Sequence, residues 1–202
     1  MTSLLMLDLS KNRTNGYIPP CLLEEGIHLQ VLNLRENQLR GAIPNKINKK
    51  GELQIVILRD NQLEGWLPRS LSNYQSLGIL NLNFSNNLFE GDILIIIGQL
   101  TSLQVLNISH NKLTGKIIPQ LENLSQLESL DLSMNSLYGK IPQELASLDF
   151  LEYLNLSYNK LVGNIPIGGQ FFTFTNYSFE GNIELCLHPC NTSVPSVNNT
   201  TI

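Results

Sequence analysis

The chain is short of charge, short of cysteine and without a long apolar run, and each shortage excludes something. Only 15% of its 202 residues are Asp, Glu, Lys or Arg, and the formal net charge is −4. That leaves no basic stripe for phosphates, so nucleic acid is not an expected partner. No stretch is long enough to cross a bilayer, and the most apolar run, from Ile93 to Ile97, reads as the interior of one structural unit. Met1 to Leu9 lacks a basic start and already carries the apolar spacing described below, so no signal peptide is expected there, and no membrane anchor either. Of three cysteines, Cys186 and Cys190 flank His188, but three candidates at i, i+2 and i+4 without a fourth ligand do not match zinc spacings. The two are candidates for a disulfide with each other, leaving Cys21 as an odd thiol expected to be buried. His28, His110 and His188 are far apart, and no Ser or Cys has a base and an orienting group placed around it. Neither a phosphate-cradling G-x-x-x-x-G-K-[ST] loop nor a strand-linked G-x-G-x-x-G is present. No enzyme, no cofactor and no metal is expected.

What the chain has is repetition. The frame L-x-x-L-x-L-x-x-N-x-L-x-G-x-I-P is clearest at Leu103, Leu106, Ile108, Asn111, Leu113, Gly115 and Ile117. Counterparts of Asn111 stand at Asn12, Asn37, Asn61, Asn87, Asn135 and Asn159, at successive spacings of 25, 24, 26, 24, 24 and 24 residues. Such a period marks a solenoid, in which no coil can bury its apolar face alone. Alternation around the L-x-L core, as in Leu130, Asp131 and Leu132, is that of a half-buried strand. One strand per coil makes a parallel sheet with stacked Leu residues behind it. The Asn amide, donor and acceptor at once, can satisfy backbone groups left inside by the turn. The Gly four residues later suits a positive φ, and the Pro beyond it ends regular hydrogen bonding.

These residues and this spacing resemble the leucine-rich repeat family, and the G-x-I-P ending resembles its plant extracellular subtype. The resemblance covers residues 4–166 and implies a solenoid of the α/β class, β-rich, with a curved parallel sheet on the concave face and short 3-10 or irregular segments on the convex face. Residues 1–166 read as seven repeats, residues 167–190 as a carboxy-terminal cap and residues 191–202 as a disordered tail. The cap resembles that of plant receptor-like proteins, S-F-x-G-N-x-x-L-C-G-x-P, through Ser178, Phe179, Gly181, Asn182, Leu185, Cys186 and Pro189, whereas Leu187 replaces a Gly. Phe171, Phe172, Phe174, Tyr177 and Phe179 are expected to cover the last coil. The fourth coil has two surplus residues. Its "NFSNNLFEGDI" resembles a coil that follows a non-repeat island in receptor-like proteins, and the preceding "LPRSLSNYQSLGILNL" resembles one from well before it. That implies a deletion join near residues 81–83, with a bulge there.

Strand residues that point away from the core form rows on the concave face, and these are the expected contact surface for a protein or peptide: Arg35, Glu36, Ile57, Arg59, Asp60, His110, Asp131, Met134, Tyr153 and Tyr158. Trp66 should project outward. Acceptor triplets for N-glycosylation mark Asn83, Asn107, Asn123, Asn155, Asn176 and Asn191, whereas Asn12, as a ladder residue, should face inward. Glycans at Asn83, Asn107 and Asn155 would leave coils one to three as the more open face. The resemblance implies non-catalytic recognition by part of the extracellular domain of a plant receptor-like protein acting in defence, with coils five to seven meeting receptor-kinase ectodomains at the outer face of the plasma membrane. Alternatives are a secreted inhibitor of a microbial polygalacturonase-type hydrolase, and a truncated or scaffold product.

Overall fold

In a computed structural model of the chain, which describes residues 4–24, 28–48, 51–74 and 80–186, seven short strands form one parallel sheet in sequence order. They are Met6–Asp8, Val31–Asn33, Ile55–Ile57, Leu80–Asn83, Leu103–Asn107, Ser129–Asp131 and Tyr153–Asn155. Their central residues are in register, so Leu7, Leu32, Val56, Leu82, Leu106, Leu130 and Leu154 stand behind one another. Behind this line a single apolar core runs the length of the stack, and the frame leucines of coils five to seven are almost entirely out of water. Each fully buried Leu stabilises the stack by roughly 1.5–3 kcal/mol.

The ladder asparagines close the turns after the strands. Asn87 is typical: its Nδ2 faces the carbonyls of Leu58, Phe84 and Ser85 at 3.0, 3.2 and 3.1 Å, and its Oδ1 accepts the Leu63 N–H at 3.0 Å. Each rung therefore ties a coil to the one before it. Asn12 is exposed, with Nδ2 on the Leu9 and Ser10 carbonyls of its own turn, so the expectation that it faces inward is corrected. The ladder also extends one rung beyond the period, because Asn182 in the cap accepts the Leu161 N–H at 3.0 Å and donates to Leu156 and Phe179.

A second sheet follows the ladder on one flank. Asn15–Gly16, Gln38–Gly41, Gln62–Gly65, Leu88–Asp92 and Lys112–Thr114 form five parallel strands, and Tyr138–Gly139, Lys160–Asn164 and Glu184–Cys186 form three more. Ser136 and Tyr138 N–H groups on the Leu113 and Gly115 carbonyls, both at 2.8 Å, join the two groups. The repeat Gly lies at or next to the end of seven of these eight strands; Gly91, at φ +79, passes so close to the Trp66 indole that an added Cβ would lie 2.8 Å from it. The convex side carries 3-10 turns such as Pro119–Asn123 and Gln143–Ser147, and one short α-turn, Cys21–Glu24.

Coil four departs from the pattern in two ways. Leu80 pairs with Leu103 but Asn81 with Val105, so Gln104 is skipped and the register breaks between Leu80 and Asn81. Its core uses Phe84 and Phe89, ring centroids 6.0 Å apart, in place of Leu. The run Ile93 to Ile97 is not all interior: Ile93 and Ile97 are buried, but Ile95 is 62% exposed. In the cap, Phe171 and Phe179 are buried against the last coil and Phe174 meets Phe171 edge-on at 5.6 Å. Phe172 and Tyr177 turn outward. Cys186 is disulfide-bonded, while its expected partner, Cys190, lies outside the described residues, as do Asn191 and the tail. Cys21 is free, and exposed rather than buried.

Candidate functional site

Along the concave face, what a strand residue can offer is set by how the chain leaves the strand. The residue between the two inward apolar positions is Asp8, Asn33, Asn83, Asn107, Asp131 or Asn155 in six of the seven coils. Its Oδ1 accepts the N–H two residues on: Ser10 at 2.8 Å, Arg35 at 3.3 Å, Ser85 at 3.2 Å, Ser109 at 3.1 Å, Ser133 at 3.0 Å and Ser157 at 3.1 Å. In the four later coils the Ser hydroxyl donates to the same oxygen at 2.7–2.8 Å. These bonds turn side chains inward, so Ser109, Ser133, Ser157 and Asn33 are buried although their spacing places them on the outward row.

Asp131 is corrected by the same geometry. It is 8% exposed and its carboxylate is used by Ser133, so it is a turn-forming residue rather than a contact residue. The signal was present in the sequence: Asp and Asn alternate in this slot ahead of Ser, which is the exchange that a need for one acceptor oxygen permits. The ordered Ser10 donor, with Asn33 at 3.0 Å, holds the Asp8 carboxyl below the usual aspartate range.

Glu36, Asp60, His110, Met134 and Tyr158 belong to a row that the alternation did not show. With Lys11 and Asn86 they are the seven non-glycine residues at φ between +52 and +57 among those described, each immediately before its ladder Asn. Their backbone N–H groups donate to the next coil, as His110 does to the Ser133 carbonyl at 2.9 Å. They sit in the turn at the strand's end and remain on the surface, with Met134 and Tyr158 about half exposed.

Two parts of this surface differ in chemistry. Over coils two and three, Arg35 and Arg59 flank Glu36 at 3.7 and 3.6 Å, Arg59 reaches Asp60 at 3.6 Å, and Asn86 donates to Asp60 at 2.6 Å. This is a partly buried, mutually neutralised network, about one-third exposed, with Ile57 partly buried beside it. Over the last coil the surface is aromatic. Tyr153 is half exposed and borders a groove of about 310 Å³ whose other wall is Phe174, Thr175 and Tyr177 of the cap. Tyr158 packs on Gly181, and the Glu180 carboxylate acting on its hydroxyl raises its pKa.

The glycosylation candidates divide in the same way. Asn123 and Asn176 are exposed on the convex turns and the cap, whereas Asn83, Asn107 and Asn155 are partly buried, with Oδ1 committed to the Ser of their own triplet. Trp66 is 56% exposed and lies on the flank, not the concave face. Among the described residues no helix is long and apolar enough to cross a membrane.

Comparison with known proteins finds matches to the leucine rich repeat families over residues 102–161 and residues 28–49. The chain is 49% identical over 49 residues to Receptor-like protein 32 of Arabidopsis thaliana, an alignment covering 24% of this chain and 6% of that protein. Among solved structures it is similar to the ectodomain of the plant membrane receptor kinase GASSHO1/SCHENGEN3 from Arabidopsis thaliana, in complex with CASPARIAN STRIP INTEGRITY FACTOR 2. The TM-score there is 0.85 at 38% identity, covering 92% of this chain and 22% of that one. The plant peptide hormone receptor RGFR1, solved with RGF2, gives a TM-score of 0.63 at 33% identity, over 82% of this chain and 30% of that one. The chain thus spans a small fraction of the length of each.

Proposed function

The chain belongs to the plant extracellular leucine-rich repeat family, and on that premise we propose that its concave face is the recognition surface of a receptor-like protein's ectodomain, taking a peptide or protein ligand and a receptor-kinase ectodomain as partners. The chain is a non-catalytic module of repeats. The observation that carries the reading is the aromatic end of the concave face, where Tyr153 and Tyr158 are half exposed on a backbone fixed by the ladder and beside the groove to the cap. Rigid, half-exposed tyrosines lose little entropy on contact and are frequent binding anchors. Solved receptor ectodomains of the same architecture carry a peptide hormone or a named factor, which supports a ligand of that class here.

Coils five to seven would then meet the receptor kinase, with signalling in defence at the outer face of the plasma membrane as the setting. Surface plasmon resonance of the secreted, glycosylated chain against plant receptor-kinase ectodomains tests this. Specific binding that falls about tenfold or more in Tyr153→Ala, a loss in the range of a binding hot spot, is the expected result. Equal binding by the variant would remove the concave end from the interface. Inhibition of a pectin hydrolase without kinase binding would favour the inhibitor reading instead.

A further inference from the structure

Beyond coil seven the cap leaves a hollow whose occupant can be attached to its own rim. The last flank strand, Glu184–Cys186, pairs with Lys160–Asn164 on one side and with no strand among the described residues on the other. Beside it lies a hollow of about 310 Å³ bordered by Asn176, Tyr177, Phe179, Glu180, Asn182 and Leu185. Phe179 and Asn182 are its buried part, and Tyr177 stands 79% exposed. Apolar surface beside an unpaired strand edge invites pairing with another chain, and native proteins cover such edges.

Asn176 selects the cover. It heads the acceptor triplet Asn176, Tyr177, Ser178. It is exposed and its side chain holds no hydrogen bond among the described residues, whereas Asn83, Asn107 and Asn155 each hold the Ser of their own triplet. The 3-10 turn Asn176–Phe179 sets the direction. Thr175, Tyr177 and Ser178 border the concave groove beside Tyr153, but of the two hollows Asn176 borders only the one at the end of the stack. A substituent on its Nδ2 therefore leaves away from the concave face, and Tyr177, which borders both, is the ridge between them. We propose that an N-linked glycan on Asn176 fills the end hollow, with its first N-acetylglucosamine ring stacked on Tyr177 and further sugars over Leu185 and the open edge of Glu184–Cys186. The end is thereby closed while the groove beside Tyr153 stays open. The inference rests on the extracellular setting of the proposed function. The C–H face of a sugar ring packs on an aromatic face while its hydroxyls stay in water. Because the sugar is tethered to the rim, a weak contact is populated without free ligand.

Secretion of the intact chain from plant cells, followed by glycopeptide mapping and hydrogen exchange read by mass spectrometry, tests the assignment. Asn176 should be occupied, and the amides of Glu184–Cys186 should exchange about two- to tenfold faster in Asn176→Gln, the range of one aromatic contact. Asn123→Gln, which removes an exposed triplet on the convex side, should leave them unchanged. Tyr177→Ala, which keeps the triplet, should match Asn176→Gln, and the double variant should lose no more than either single one. Unchanged exchange in Asn176→Gln, or additive losses in the double variant, would overturn the proposal. A bare Asn176 beside an occupied Asn123 would overturn this assignment alone, whereas bare asparagines at every triplet would remove the extracellular setting as well. Tighter binding of a receptor-kinase ectodomain by Asn176→Gln would place the sugars over the concave groove and equally overturn it.

Discussion

Two asparagines in the same frame position, Asn159 and Asn12, differ in what their removal should cost. Asn159 is buried, accepts the Leu137 N–H at 3.0 Å and faces the carbonyls of Leu132, Leu156 and Ser157. Replacing it by Ala strands those groups away from water, at about 1–3 kcal/mol for a buried group left unpaired. Urea unfolding should therefore show Asn159→Ala destabilised by roughly 2–4 kcal/mol, and Asn12→Ala, in an exposed turn, by less than about 0.5 kcal/mol. Equal losses would mean that the ladder does not act through buried backbone groups. Asp131 gives a sharper test of role. If its duty is one acceptor oxygen for Ser133, Asp131→Asn should leave both stability and partner binding unchanged, as Asn107 and Asn155 already do that work. Asp131→Ala should lower stability by about 1 kcal/mol. A binding defect in the Asn variant would restore Asp131 to the contact surface.

At the scale of the element, each coil is a strand, a turn with one left-handed residue and a flank strand that ends at or beside the repeat Gly. Gly91→Ala meets two obstacles, since φ is +79 and the new Cβ would press on the Trp66 indole, whereas Gly16, at φ +96, has nothing within 4 Å. Both variants should lose about 1–2 kcal/mol from the backbone alone. Only Gly91→Ala should also shift the emission of Trp66, the chain's one tryptophan. In coil one, the Asp8 carboxylate is stabilised by the Ser10 donor, so its folded pKa lies below the unfolded value of about 3.9. A depressed carboxylate contributes stability above the unfolded pKa and loses it as pH falls through the folded one. Hydrogen exchange of the Ser10 amide should accordingly lose relative protection below about pH 4, and Asp8→Asn should keep the turn while abolishing that dependence. The concave strands were legible from sequence because their apolar residues recur at fixed spacing and all face one core. The flank strands were not, since a segment such as Lys112–Thr114 is too short to show alternation and its pairing depends on the neighbouring coil. The contact residues were legible only in part. Position along the strand does not reveal that Asp131 is turned in by Ser133, or that Tyr158 stands on a left-handed backbone.

For the whole molecule, the ladder, both sheets and the core connect each coil chiefly to its two neighbours, so stability should be distributed as in a one-dimensional stack. The ends are unequal. Coil one exposes Leu5, Met6 and Leu9, while coils five to seven keep their frame leucines at no more than 2% exposure. At the far end the cap continues the main-chain bonding, with Leu156 and Tyr158 donating to the Ser178 and Glu180 carbonyls at 2.7 and 2.6 Å, and seals the core with Phe171 and Phe179. Native-state hydrogen exchange should therefore rank coil one as the least protected, and coils five and six as the most. Phe179→Ala removes the seal at a cost of about 3–5 kcal/mol. Its effect should be concentrated in coil seven, fall off through coil six and leave the amides of coils two and three within error. Because Tyr153 and Tyr158 stand on coil seven, the same substitution should weaken a partner that binds there. A uniform loss of protection along all seven coils would instead show the chain to be a single cooperative unit.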